Sequence, residues 1–144
     1  MSFLSLEQLP LSESLDRTAR LRTHLAELNP GASGVLVFSR LGLYHLSGTW
    51  VSGVLWVPLD GEPVLLCRKG VERARLDSPL PCIEEFKSYS QLPGLLRDAG
   101  APLGDTVAVE MTGLPWSMGE LLRSKLPGVT LVPGDMALAW TRAV

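Results

Sequence analysis

Residues 52–69 read SGVLWVPLDGEPVLLCRK. Two apolar, β-branched-rich runs flank Asp60-Gly61, a pair whose glycine accepts the positive φ that a tight reversal needs, so the stretch predicts an antiparallel hairpin. Pro58 and Pro63 lack a backbone N–H, which confines them to strand ends or edges. Upstream, GVLVFS (34–39) is short and apolar throughout, as expected of a central strand covered on both faces.

Before that strand, Leu15, Ala19, Leu21, Leu25 and Leu28 recur at near-helical spacing. The serines of LSES are candidate N-caps, and NPG (29–31) stops the run. Downstream, VERARL (71–76) reads as a short helix, CIEEF (82–86) as a strand and SQLPGLLRDAG (90–100) as a helix closed by glycine. DTVAVEM (105–111) reads as a strand, SMGELLRSKL (117–126) as a helix, VTLVP (129–133) as a strand, and GDMALAWTRAV (134–144) as a helix starting behind Asp135. A hairpin followed by strand–helix alternation predicts an α/β domain: one three-layer unit in which helices flank a mixed sheet.

The 144 residues suit a single domain, and a chain of that size buries about 68–70% of its unfolded surface. Net charge is −2, and Arg17, Arg20 and Arg22 share their segment with Asp16 and Glu27. That predicts a solvated helix face and no nucleic-acid partner. Cys67 and Cys82 have no CxxC spacing and no histidine nearby in sequence, so buried free thiols and a cytoplasmic setting are expected. The opening MSFLSLEQLPLSESLD lacks a basic n-region and a long apolar core, and no run approaches a membrane span of about 18 apolar residues. No leader and no membrane association are expected.

A catalytic constellation is hard to assemble. Gly31 and Gly34 precede a strand, whereas a phosphate loop must follow one and open a helix. No serine sits in a GxSxG elbow, and His24 and His45 pair with no nucleophile at a known spacing. Glu84 and Glu85 are adjacent on a strand and so point to opposite faces, which makes them a poor acid–base pair. Glu110, ending an apolar strand, is expected to accept hydrogen bonds from the TGLPW turn that follows. Metal chemistry needs three or four converging ligands, and two scattered histidines without HxxE or DxD spacing do not supply them. No catalytic residue and no metal ligand are assigned.

In order, an arginine-bearing helix, an apolar strand, LGLYHLSG (41–48), the hairpin with DGEPVLL (60–66), a VAVE strand (107–110) and LPGVTLVPGDMALAWTRAV (126–144) resemble the N-terminal domain of the creatinase, prolidase and aminopeptidase P family. The resemblance covers nearly the whole chain. The family segment Asn-x-x-Tyr-Leu-Thr-Gly is matched by Leu46, Ser47 and Gly48, with Gly42 replacing the asparagine and His45 the tyrosine. Asp60, Gly61, Glu110 and Arg142 also resemble family positions, and all of these are expected to be structural.

The resemblance implies residues 1–144 as one creatinase-type N-terminal domain, with catalysis in a separate C-terminal pita-bread domain absent from this chain. There, two Asp, one His and two Glu would hold two divalent ions that activate water and polarise the scissile carbonyl. The expected partners are that catalytic domain and further copies of the same protein in a homo-oligomer. The expected role is to wall a neighbouring subunit's active site in a cytoplasmic Xaa-Pro dipeptidase or aminopeptidase. Leu43 and Leu46 are expected to pack on the sheet, Gly48 to reverse the chain, and Thr49, Trp50, Val51 and Ser52 to form a substrate-access lip. The same domain of a creatinase-like amidinohydrolase, and a non-enzymatic binding or scaffold module, remain open.

Overall fold

A computed structural model describes residues 8–143. Residues 1–7, where the reading of the chain's opening begins, and Val144 lie outside the described residues. The elements run α1 (Leu11–Leu28), β1 (Gly34–Val37), α2 (Arg40–Ser47), β2 (Gly53–Pro58), β3 (Val64–Cys67), α3 (Val71–Asp77), β4 (Ile83–Glu85), α4 (Leu92–Asp98), β5 (Thr106–Val109), α5 (Trp116–Lys125), β6 (Thr130–Pro133) and α6 (Asp135–Arg142). Single 3-10 turns at Tyr89–Gln91 and Met111–Gly113 precede α4 and α5.

The sheet has six strands in the order β4-β3-β2-β1-β5-β6. The hairpin pairs β2 with β3 in antiparallel register, Trp56 opposite Val64. β2 also pairs antiparallel with β1, and the β1–β5, β3–β4 and β5–β6 pairs are parallel. Strand β1 is buried along its whole length, as its unbroken apolar run requires. Strand pleat divides the core in two: Val35, Val37, Leu55 and Leu65 pack with Leu21, Leu25, Leu43, Leu46 and Leu138 from α1, α2 and α6. On the other face, Leu36, Trp56 and Leu66 pack with Leu92, Leu96 and Leu122 from α4 and α5. This is the expected three-layer arrangement.

Helix α2, eight residues long, is held at both ends. At its start, Ser39 Oγ accepts from Gly42 N at 2.9 Å, a side-chain N-cap. At its end, Gly48 takes φ +82 and its N–H donates to Tyr44 O. The next two carbonyls are met by α1, because Arg17 Nη1 donates to His45 O and Ser14 Oγ to Leu46 O, each at 2.8 Å. A cation at a helix C-terminus also meets its dipole favourably.

These contacts correct two expectations. The LSES serines do not cap α1, since Pro10 is the N-cap and no side chain caps it. Ser14 lies one turn inside, 1% exposed, because α2 needs its hydroxyl. Nor do Arg17, Arg20 and Arg22 form a solvated face: all three are partly buried. Arg22 bonds Pro58 O at 2.8 Å and also Gly61 O, tying α1 to the hairpin turn. The buried stripe of α1 is Ser14, Thr18, Leu21 and Leu25, with Leu15 and Ala19 outside. The face that docks on other helices thus begins with small polar residues.

Candidate functional site

Only β2 opposes its sheet neighbours in direction, so the C-terminal ends of the other strands and the start of β2 share one edge. From that edge α2 leaves β1 toward one face and α5 leaves β5 toward the other. Adjacent strands whose connections diverge create the crevice where open α/β sheets place ligands. Here the crevice holds the protein's own carboxylate. Glu110, 2% exposed, accepts from Phe38 N at 2.8 Å, Ser39 N at 2.6 Å and Ser39 Oγ at 2.8 Å. Gly113 is required beside it, since a Cβ there would lie 2.7 Å from Glu110 Oε1 and 2.8 Å from Ser39 N.

The expectation that Glu110 serves its following turn is corrected by this geometry. Asp135 serves that turn instead, accepting from Met111 N at 2.9 Å and Thr112 N at 2.8 Å. Burial works to raise the Asp135 pKa, but hydrogen bonds from Thr112 and Met111 outweigh it and hold the group below the usual aspartate value. Asp135 is accordingly the first residue of α6, behind Gly134, and not its cap.

Arg142 Nη1 stands 3.9 Å from Glu110 Oε2, which ties α6 to the same carboxylate. His45 is half-buried, and its Nε2 has no hydrogen-bond partner among the described residues. Burial lowers the His45 pKa, and Arg17, Arg142 and Arg20 lower it further against a smaller opposing pull from Glu13. Leu46 and Ser47 are buried, with the Ser47 hydroxyl bonded to Leu43 O. Asp60 and Gly61 sit in the β2–β3 turn at the opposite edge of the sheet, away from this group.

The segment between α2 and β2 alternates. Thr49 and Val51 are buried, whereas Trp50 and Ser52 face outward. Trp50 is 55% exposed and stacks on Tyr44 with ring centroids 4.9 Å apart and planes 18° apart. A stacked partner fixes the indole at the surface without burying it. Beside this segment opens a cleft of about 190 Å³ whose lining includes Phe38, Arg40, Ser52, Arg68 and Tyr89. Sequence reading singled out neither arginine, because only the strand order brings residue 40 and residue 68 to one edge.

Elsewhere, Leu138 is buried while Trp140 stays 43% exposed, its ring edge-on to His24 at 5.6 Å. Both cysteines are free; Cys67 is buried, which pushes its pKa up to about 11, and Cys82 only partly so. Glu84 and Glu85 are both exposed at the β4 edge. No helix among the described residues is long and apolar enough to cross a membrane.

A family model described as the creatinase/prolidase N-terminal domain matches residues 17–144. Among solved structures, an aminopeptidase P (Xaa-Pro aminopeptidase) from Streptococcus thermophilus superposes with a TM-score of 0.72 at 16% identity, over 90% of this chain and 98% of that one. The N-terminal domain of the cytoplasmic peptidase PepQ from Mycobacterium tuberculosis H37Rv gives 0.71 at 20% identity, over 88% and 98%. The Xaa-Pro dipeptidase from Bacillus anthracis gives 0.74 at 15% identity, over 90% of this chain but 36% of that one. No curated protein sequence matches the chain.

Proposed function

The chain belongs to the creatinase/prolidase N-terminal domain family, and from that premise we propose that it is the non-catalytic N-terminal domain of a metal-dependent Xaa-Pro peptidase. It works beside a separate C-terminal catalytic domain, in a cytoplasmic homo-oligomer, and walls the active site of a neighbouring subunit. The observation that carries the reading is Trp50, exposed and braced on Tyr44 in the segment that enters β2. An indole held this way offers a flat apolar surface to a prolyl ring.

The chain's own chemistry agrees with a shaping role. The gap between the ends of β1 and β5 is filled by Glu110, whose oxygens are committed to Phe38 and Ser39. No three His, Cys, Asp or Glu side chains gather among the described residues to hold an ion. The two divalent ions expected of the family's peptidases therefore do not fit the described residues and are assigned to the catalytic domain. The wall would limit substrates by length and would take no part in bond breaking.

The test is hydrolysis of Xaa-Pro dipeptides by the full-length protein and by this chain, each supplied with divalent metal. Metal-dependent turnover by the full-length protein and none by the chain is the expected result. Turnover by the purified chain, or a full-length protein that cleaves a guanidino compound in place of Xaa-Pro peptides, would refute the assignment.

A further inference from the structure

Helix α5 presents a face that its own fold leaves uncovered. Trp116, its first residue, is 84% exposed and has no aromatic partner among the described residues. Gly119, Glu120 and Arg123 follow at the i+3, i+4 and i+7 positions of the same face. These four rim an apolar cleft of about 220 Å³, open to solvent, whose walls include Val109, Leu122 and Leu131. A large exposed aromatic beside an apolar hollow marks an interaction surface.

Gly119 is a separate observation. It does not adopt the left-handed conformation, and a Cβ built on it would meet nothing within 4 Å. Nothing inside the chain therefore requires glycine here, although glycine weakens a helix interior relative to alanine. A backbone approaching closely from outside would require it. Glu120 and Arg123 carry opposite charges, and neither forms an ion pair among the described residues. The neighbouring sheet edge is closed to an added strand: in the edge strand β6, Pro133 has no N–H and its carbonyl accepts from Asn29 Nδ2 at 2.8 Å. The contact thus falls to the helix face.

A patch that holds a knob, a hollow and both signs of charge is its own complement, as a two-fold contact demands. A two-fold axis lying across α5 between Gly119 and Glu120 runs the helices of two copies antiparallel. Trp116 of each copy then lies opposite Arg123 of the other, at the mouth of its cleft, where the indole face can meet the guanidinium. Glu120 of each copy stands one helical turn from Arg123 of the other. We infer that this face binds a second copy of the chain, α5 against α5. The inference rests on the proposed homo-oligomer for its setting, in which it is a junction made by this domain without the catalytic domain.

Sedimentation equilibrium of this chain over rising concentration tests the contact. The expected result is a reversible monomer–dimer equilibrium that Trp116→Ser weakens about tenfold or more, the scale for losing a central tryptophan. Arg123→Glu should weaken it several-fold. Gly119→Ala should also weaken it while raising the melting temperature by a few degrees, because alanine favours the helix. Leu121→Ser, at a residue 42% exposed but off that face, should leave the equilibrium unchanged. A chain monomeric at every concentration, a dimer that survives Trp116→Ser, or an equal loss with Leu121→Ser would overturn the contact. A monomeric chain beside a full-length protein that is still oligomeric would sink this contact alone. A dimeric chain beside a monomeric full-length protein would sink the proposed oligomer alone.

Discussion

Ser39 and Glu110, 71 residues apart, are joined twice: the Ser39 N–H donates to Oε1 at 2.6 Å and the Ser39 hydroxyl to Oε2 at 2.8 Å. The same hydroxyl accepts from Gly42 N. One carboxylate therefore locks the end of β1, the start of α2 and the end of β5 together. Charge-assisted bonds in a buried site are the strong ones, and losing their acceptor strands the donors.

Glu110→Ala should destabilise the chain by about 2–4 kcal/mol, because three donors lose their acceptor in a buried site. Glu110→Gln, which keeps one acceptor oxygen, should cost clearly less. Urea unfolding of the two variants checks both the size and the order. Equal losses, or a negligible effect of Glu110→Ala, would mean the carboxylate is not the lock.

Ser14→Ala leaves the Leu46 carbonyl without its partner in a buried helix–helix contact, and should cost about 1–2 kcal/mol. Ser12→Ala, on the exposed side of the same turn, should lie within about 0.5 kcal/mol of the parent. Chemical denaturation of the pair separates an α2-closing role for Ser14 from simple helix capping, which would make the two substitutions alike.

His45 predicts an acid-sensitive fold. Its pKa is lowered by burial and by Arg17, Arg142 and Arg20, with Glu13 opposing, so near the ordinary value of 6.5 the unfolded chain binds more protons than the folded one. Stability therefore rises with pH across that region and falls as the pH drops below it. Denaturation midpoints measured from pH 7.5 to 5 should fall less steeply in His45→Gln than in the parent. Parallel slopes would show that His45 does not contribute.

Much of the fold was legible because its elements obey short periods. The Asp60-Gly61 hairpin, the unbroken apolar run of β1 and the closing Gly100 each carry their own local signal. Leu43 and Leu46 pack on the sheet as expected, although the helix α2 that carries them was not part of the expected element order. What stayed hidden were the pairings between distant residues. Arg17 and Arg22 read as a solvent face because charge alone does not reveal that two neighbouring carbonyl groups await a donor. Glu110 and Asp135 each left the turn expected of them because each carboxylate meets backbone N–H groups more than 20 residues away. Arg40 and Arg68 became a pair only once the parallel run of β1 and β3 on either side of β2 was known.

The measurement closest to the central claim is the kinetics of Trp50→Ala in the full-length protein on a series of Xaa-Pro peptides of increasing length. Trp50 is outward-facing and, among the described residues, its aromatic partner is Tyr44, so the substitution should leave fold, oligomeric state and bound metal unchanged. A wall facing the substrate predicts a raised KM for the dipeptide, or a relaxed preference for short chains, with kcat largely retained. Kinetics indistinguishable from the parent at every peptide length would contradict the claim and reduce residues 49–52 to the packing of one end of the sheet.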